Sequence, residues 1–273
     1  MDLNMEDIDL RKYFTEDRTW YETKGVVLYR FDDSKKSEFI QEMMVPMRDM
    51  FVSEEKIQRE LADYDEQMRT DIITEHLPTN ASIMSGDFGE ALIHYFALNF
   101  FAKNANVAPK KLRFKGDPNS PLPKTDIMLF YMEDKTVPSV NDTIYTIEVK
   151  TRKDSPSISN KESSILSAIK GAEEDKVSRA AKTIAYLIKR IKDTGEPDEL
   201  LKGVKRFSGA YFKTCRKVYN AVAIVEERFL QRHIDHIEEK LQETHPDIAV
   251  YCLPIAELEQ MYKTFYQQMP LQA

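Results

Sequence analysis

The sequence predicts an α/β fold on a mixed sheet, with an αβββαβ order in its middle and an N-terminal α/β lobe ahead of it. Three observations carry that expectation. A strongly apolar helical stretch, residues 85–103, precedes three short β-like segments. The links between those segments, GDPNSPLPK and EDKTVPSVND, are rich in Pro, Asp and Asn, as loops are. A long helical region, 163–193, then leads into the apolar segment 218–226, which reads as a buried strand.

Taken in order, residues 25–31 (GVVLYRF) are short and β-rich and read as a strand. Residues 37–51 and 53–76 read as helices, and in the second Ile57, Leu61, Tyr64, Met68, Ile72 and Ile73 recur at helical spacing. Residues 77–80 (LPTN) break the chain, and Ser85 is the N-cap expected for the next helix. The first β-like segment, 111–115, alternates Leu112 and Phe114 with basic residues. The second, 125–132, is almost continuously apolar after Asp126, and the third, 143–151, ends in charge. Gly195-Glu196-Pro197 closes the long helix, and the stretch from Gly203 to Gly209 reads as a mobile loop. Residues 227–242 read as helix, 248–253 as strand and 255–268 as a last helix. Residues 1–80 form an acidic lobe, either a separate domain or a layer on the core, and 81–273 the core domain.

Composition narrows the function classes. The chain has 273 residues, 42% hydrophobic and 31% charged, which is ordinary globular composition. Its 8 glycines form neither of the glycine-rich phosphate cradles. No G-x-S-x-G or H-E-x-x-H occurs, which sets aside the standard serine hydrolases and zinc proteases. The longest apolar stretch, 91–102, is too short to span a bilayer, and the acidic start, MDLNMEDIDLRKYF, lacks an apolar signal core. With only Cys215 and Cys252, far apart, the expectation is a reducing, cytoplasmic location and no zinc knuckle.

Charge is unevenly spread. Residues 1–107 carry a net of −10, 108–232 a net of +8 and 233–273 a net of −5. A basic middle between acidic ends points to a polyanion site. Its cations include Lys170, Lys176, Arg179 and Lys182, followed by Lys213, Arg216 and Lys217 among Phe207, Tyr211 and Phe212. Cations contact phosphates and rings stack on unpaired bases. The competing reading makes the aromatics core and the lysines merely exposed.

The residues that carry chemistry are Glu90, Asp126, Glu148 and Lys150. Alternate residues of a strand share a face, so Glu148 and Lys150 project together and Val149 turns the other way into packing. If 125–132 and 143–151 form a hairpin, Asp126 at the start of one lies beside Glu148 at the end of the other. Two adjacent carboxylates repel unless a cation joins them, and a hard divalent ion such as Mg²⁺ (or Mn²⁺) does so through oxygen ligands. Such an ion activates water and stabilises phosphoryl charge. Lys150 would hold that water or offset transition-state charge. Glu90, after Gly89 in the preceding helix, would add a carboxylate from above. A Glu and a Lys two apart on a strand are also a common surface ion pair. The order Glu, Asp, Glu-x-Lys across helix and strands is what lifts the pattern above that.

With its segments S-G-D-F-G-E (85–90), P-K-T-D (123–126) and I-E-V-K-T-R (147–152), the chain resembles the PD-(D/E)-x-K nuclease superfamily over residues 85–226. That resemblance implies a restriction-endonuclease-like αβββαβ core and metal-dependent phosphodiester hydrolysis. Asp126 and Glu148 would be metal ligands, Lys150 the catalytic lysine and Glu90 the helix-borne acid. The proline stands at 123 rather than directly before Asp126, a departure from the literal motif. The G-E helix, the E-V-K strand and the following helix with Asp175 and Arg179 also look like the HamA family, nuclease subunits of the Hachiman anti-phage defence system. That resemblance implies an effector that works with a separate superfamily 2 helicase.

Two functions follow as expectations. One is an Mg²⁺-dependent DNA nuclease of a bacterial antiviral system, restrained by a helicase whose interface includes the acidic run Glu54, Glu55, Glu60, Asp63, Asp65 and Glu66. The other is a non-catalytic DNA-binding or regulatory subunit on a nuclease-like scaffold. The choice between DNA and RNA stays open, as does the trigger. Of the weaker signals, His233 and His236 read as a helix face, Cys215 as an incidental thiol and His94 as a packed core histidine.

Overall fold

A computed structural model of the chain describes residues 8–62, 68–156 and 163–271. Its strands are β1 (Phe14–Asp17), β2 (Val27–Phe31), β3 (Ile127–Tyr131), β4 (Thr143–Arg152), β5 (Arg216–Glu226) and β6 (Ile248–Ile255). They form one mixed sheet in the order β1-β2-β6-β5-β4-β3. The four inner strands β2, β6, β5 and β4 run parallel, and antiparallel β1 and β3 close the two edges. The α/β class with a mixed sheet is therefore present. The N-terminal segment supplies two strands to the same sheet, and its helices share a buried cluster with the Ala81–Phe100 helix.

Alternation along the strands sorts side chains between two layers. Ile127, Leu129, Ile147, Val149, Val222 and Ile224 face the Ala81–Phe100 helix and the N-terminal helices. Met128, Phe130 and Ile144 face the opposite layer, where Ala180, Ile184, Leu187 and Ile191 of the Ala180–Thr194 helix cover them. On that same side Ile165, Ala168, Ile169 and Ala172 pack on Ala221, Ala223 and Val225. Helices on both faces explain why β4 is buried from Thr143 through Val149 despite its polar residues.

Several sequence expectations are corrected. Residues 111–115 are not a strand: Lys111–Phe114 is a 3₁₀ turn, so two strands rather than three stand between the flanking helices. The basic residues that alternate with Leu112 and Phe114 each find a partner within the fold. Lys111 donates to the Thr125 carbonyl at 2.6 Å, Arg113 to the Asp49 carbonyl at 2.7 Å and Lys115 to Asp87 at 2.6 Å. The stretch 203–209 is not a mobile loop as a whole, because Asp198–Arg206 is a helix with Gly203 buried against Val107. The N-cap of the Ala81–Phe100 helix is Asn80, whose side chain accepts from Ser82 at 2.9 Å, rather than Ser85. Residues 53–76 divide into Glu54–Leu61 and Arg69–Glu75, and Tyr64 lies outside the described residues. The region 227–242 holds Leu230–Asp235 and then only the start of Leu241–Thr244.

Two glycines set how closely the layers approach β4. A Cβ on Gly89 would overlap the Thr151 hydroxyl and crowd Val149, and a Cβ on Gly171 would overlap the Glu148 carboxylate. Gly86, in the same helix as Gly89, faces open space. The two positions therefore predict opposite outcomes. Gly86→Ala should raise stability by roughly 0.5–1 kcal/mol through helix propensity. Gly89→Ala should lower it by about 1–3 kcal/mol through overpacking. Denaturant unfolding of both variants checks this, and equal shifts would contradict it.

Candidate active site

The chain enters β3 through Lys124, whose φ of 77° is in the left-handed region. Asp126 follows, just before the strand, and its Oδ2 accepts the Val149 N–H at 2.9 Å. The register pairs Ile127 with Ile147, so Asp126 comes level with Glu148. The hairpin geometry expected from sequence is present, with Val149 in the packed layer.

Glu148 is 3% exposed in its side chain. Its Oε1 accepts from Lys150 Nζ and its Oε2 from the Arg179 guanidinium, both at 2.5 Å. Burial, then the charge of Asp126, push the Glu148 carboxyl up to about 7, against the pull of Lys150 and Arg179. Burial draws the Lys150 ammonium down, but Asp126 and Glu148 outweigh it and leave a net rise. Lys150 keeps its side chain partly open to solvent.

Arg179 ends a π turn, Asp175–Arg179, that joins the helices Ser164–Glu174 and Ala180–Thr194. The helical region runs on as the sequence predicts, but the wider turn cannot be read from periodicity. The turn directs Asp175 and Arg179 inward, and they pair at 2.9 Å. Asp175 accepts from Thr125 Oγ1 at 2.7 Å, and Thr183 donates to that oxygen at 3.1 Å. Burial raises the Asp175 carboxyl, with Thr125 and Arg179 opposing. Asp175 entered the sequence reading only through the HamA resemblance, and Thr125 did not stand out as a site residue. Gly171, beside Glu148, left a signal as a glycine within a helix.

Glu90 approaches from the other layer. It lines a small cavity of about 10 Å³ with His94, Lys111 and Asp126. Its Oε2 is buried without a hydrogen-bond partner among the described residues. Burial, then Asp126, raise its carboxyl well above the usual range. His94 is a buried core histidine, and burial holds its imidazole down at about 3. Asp126 thus adjoins both Glu90 and Glu148. Among the described residues, however, no three His, Cys, Asp or Glu side chains are already gathered around one point as a metal cage. At Glu148 cations hold both carboxylate oxygens.

The basic residues do not form one patch. Lys170 and Lys182 are exposed on the helical region next to the site. Lys176 is paired with Asp247 at 2.9 Å, and Arg179 is turned into the acids. Lys213, Arg216 and Lys217 lie at the other end of the sheet. Thr143 pairs Arg216 and Glu148 pairs Ala221, five residues on, or about 17 Å of strand. Phe207 is core, and Tyr211 donates to Asp142 at 2.8 Å, which fits the reading of these aromatics as structural. Phe212 carries Lys217 over its ring at 4.7 Å. Cys215 is buried and its thiol is pushed up by that burial, the opposite of activation. His233 is buried and His236 half-buried, and among the described residues no third possible ligand gathers with them.

The family model described as HamA matches residues 8–269, and the chain belongs to that family, which makes it a subunit of a Hachiman defence system. No curated protein matches it. Among the described residues no helix is long and apolar enough to cross a membrane.

The burial of Glu148 has a pH signature. A carboxyl raised from 4.5 to about 7 keeps its proton in the folded chain while the unfolded chain has lost it. The folded state binds more protons in that window, so stability falls as pH rises from 4.5 to 7. In Glu148→Gln the fall should be shallower than in the wild type. Denaturant unfolding at steps across that range checks this, and parallel slopes would contradict it.

Proposed function

We propose that this HamA-family chain is the nuclease effector of its defence system, a metal-dependent enzyme that hydrolyses DNA phosphodiester bonds. The observation that carries the reading is the bond from Val149 N–H to Asp126 Oδ2, which aligns Asp126 beside the Glu148-x-Lys150 pair. The donor set suits a hard divalent cation. Burial and then Asp126 raise the carboxyls of both Glu90 and Glu148, and Glu90 has a buried oxygen without a partner among the described residues. Asp126 and Glu148 would hold Mg²⁺ or Mn²⁺, with Glu90 as the further acid. When bound, such an ion acidifies water and screens charge on a phosphoryl oxygen.

The chain's own residues supply the rest. Glu148 fixes the Lys150 ammonium at 2.5 Å. That ammonium, partly open to solvent, would orient the attacking water or meet the charge growing on the phosphate. Lys170 and Lys182, exposed beside the site, would take neighbouring phosphates. A helicase partner that keeps DNA from the site completes the proposal. Glu54 has little freedom to serve that interface, because Arg69 and Arg48 hold it at 2.8 and 2.7 Å. Asp63, Asp65 and Glu66 of the acidic run lie outside the described residues.

The saturation of Glu148 by two cations favours a second reading, in which the cluster is only a structural ion-pair hub of a DNA-binding subunit. Plasmid cleavage in Mg²⁺ separates the two. Asp126→Asn and Lys150→Ala should each lose cutting by 100-fold or more, roughly the range for general acid–base and charge-stabilising groups, while Lys150→Ala still binds DNA. Cutting at wild-type level by either folded variant would leave the hub reading standing.

A further inference from the structure

Glu148 presents a conflict that the proposed reaction must resolve. A divalent cation needs its carboxylate oxygens, and both are already bonded to cations. One of those cations has to yield. Lys150 has Asp126 as a second acid, but that acid would serve the same cation, whereas Arg179 is held by several groups outside the proposed metal ligands. Its NH2 donates to Glu148 Oε2 at 2.5 Å and to the Gly171 carbonyl at 2.8 Å. Its Nε donates to Asp175 Oδ1 at 2.9 Å, and its NH1 pairs with Glu174 at 3.2 Å. Asp175 is 0% exposed and Glu174 56% exposed, so the guanidinium spans from a buried acid to one at the surface. Releasing Glu148 would leave it neither unpaired nor stranded in the interior.

Placement strengthens the point. Arg179 and Asp175 are the two ends of the π turn, and Lys176, Val177 and Ser178 between them are exposed. π turns are single-turn insertions that recur at functional sites. Asp175 is tied through Thr125 Oγ1 to the residue directly before Asp126. The arginine's fallback anchor is therefore part of the framework that positions the other acid.

We propose that Arg179 is the displaceable counter-ion of Glu148, competing with a divalent cation for Oε2 and yielding to it by falling back on Asp175 and Glu174. The inference rests on the metal-dependent reading above. It makes Arg179 a positioning residue that sets how readily the site takes metal, so that nucleic acid or a partner acting on the π turn could change metal loading without touching the carboxylates.

The test uses the full chain and Mn²⁺ alone, titrated without nucleic acid and read by electron paramagnetic resonance. Arg179→Gln should bind Mn²⁺ on the order of tenfold tighter than wild type, since a like charge near the ion is removed. Arg179→Lys, which keeps the charge, should stay near wild type. The double variant Arg179→Gln/Asp175→Asn removes the buried charge that Arg179→Gln alone would leave on Asp175, and should show the same tightening. In the wild type itself, Mg²⁺ should move the Arg179 Nε–H resonance. Equal or weaker Mn²⁺ binding by a folded Arg179→Gln or double variant overturns the inference, as does an unmoved resonance at saturating Mg²⁺. Absence of divalent binding in the wild type and every variant overturns the metal-dependent reading, and this inference with it.

Discussion

The close approach of two helices to opposite faces of β4 is the constraint on which the site depends. Gly89 lets the Ala81–Phe100 helix settle against Val149 and Thr151, and Gly171 lets the Ser164–Glu174 helix settle against Glu148. A strand covered on both faces is a poor place for a charge. Glu148 is nevertheless there, so its carboxylate must be answered locally, and Lys150 and Arg179 answer it. Glu90 enters on the helix that Gly89 admits, and Arg179 on the helical region that contains Gly171. The two small residues thus decide which charged groups can meet.

That geometry gives the cluster two opposed tendencies. Asp126 and burial favour protonated or metal-neutralised carboxyls, and the two cations favour ionised ones. A site balanced this way can respond to a further cation or to a phosphate. The acidic N-terminal segment is not simply a free negative surface, since Glu54 is spent on Arg48 and Arg69 and Glu60 lies near Lys56 and His76.

Much of the site was legible in the sequence because it rests on the shortest-range rule in a sheet. Period-2 alternation placed Glu148 and Lys150 on one face, and the Pro- and Asp-rich link between two strands placed Asp126 beside them. Residues 111–115 misled for the same reason: alternation of Leu112 and Phe114 mimicked a strand, while buried partners for Lys111, Arg113 and Lys115 come from distant parts of the chain. The first strand, Phe14–Asp17, carries no alternation to find, and the π turn keeps the composition of an ordinary helix. Arg179 read as one of several phosphate-binding cations because its acids are brought to it by an inserted residue in the turn and by β4, neither visible in local spacing.

The proposed activity depends on Asp126 and Glu148 jointly holding a divalent cation. The most direct measurement is anomalous diffraction from crystals of the wild-type chain soaked in Mn²⁺. A single peak bridging oxygens of Asp126 and Glu148 is the predicted result. No peak at that position, with Lys150 and Arg179 still bonded to Glu148, would contradict it.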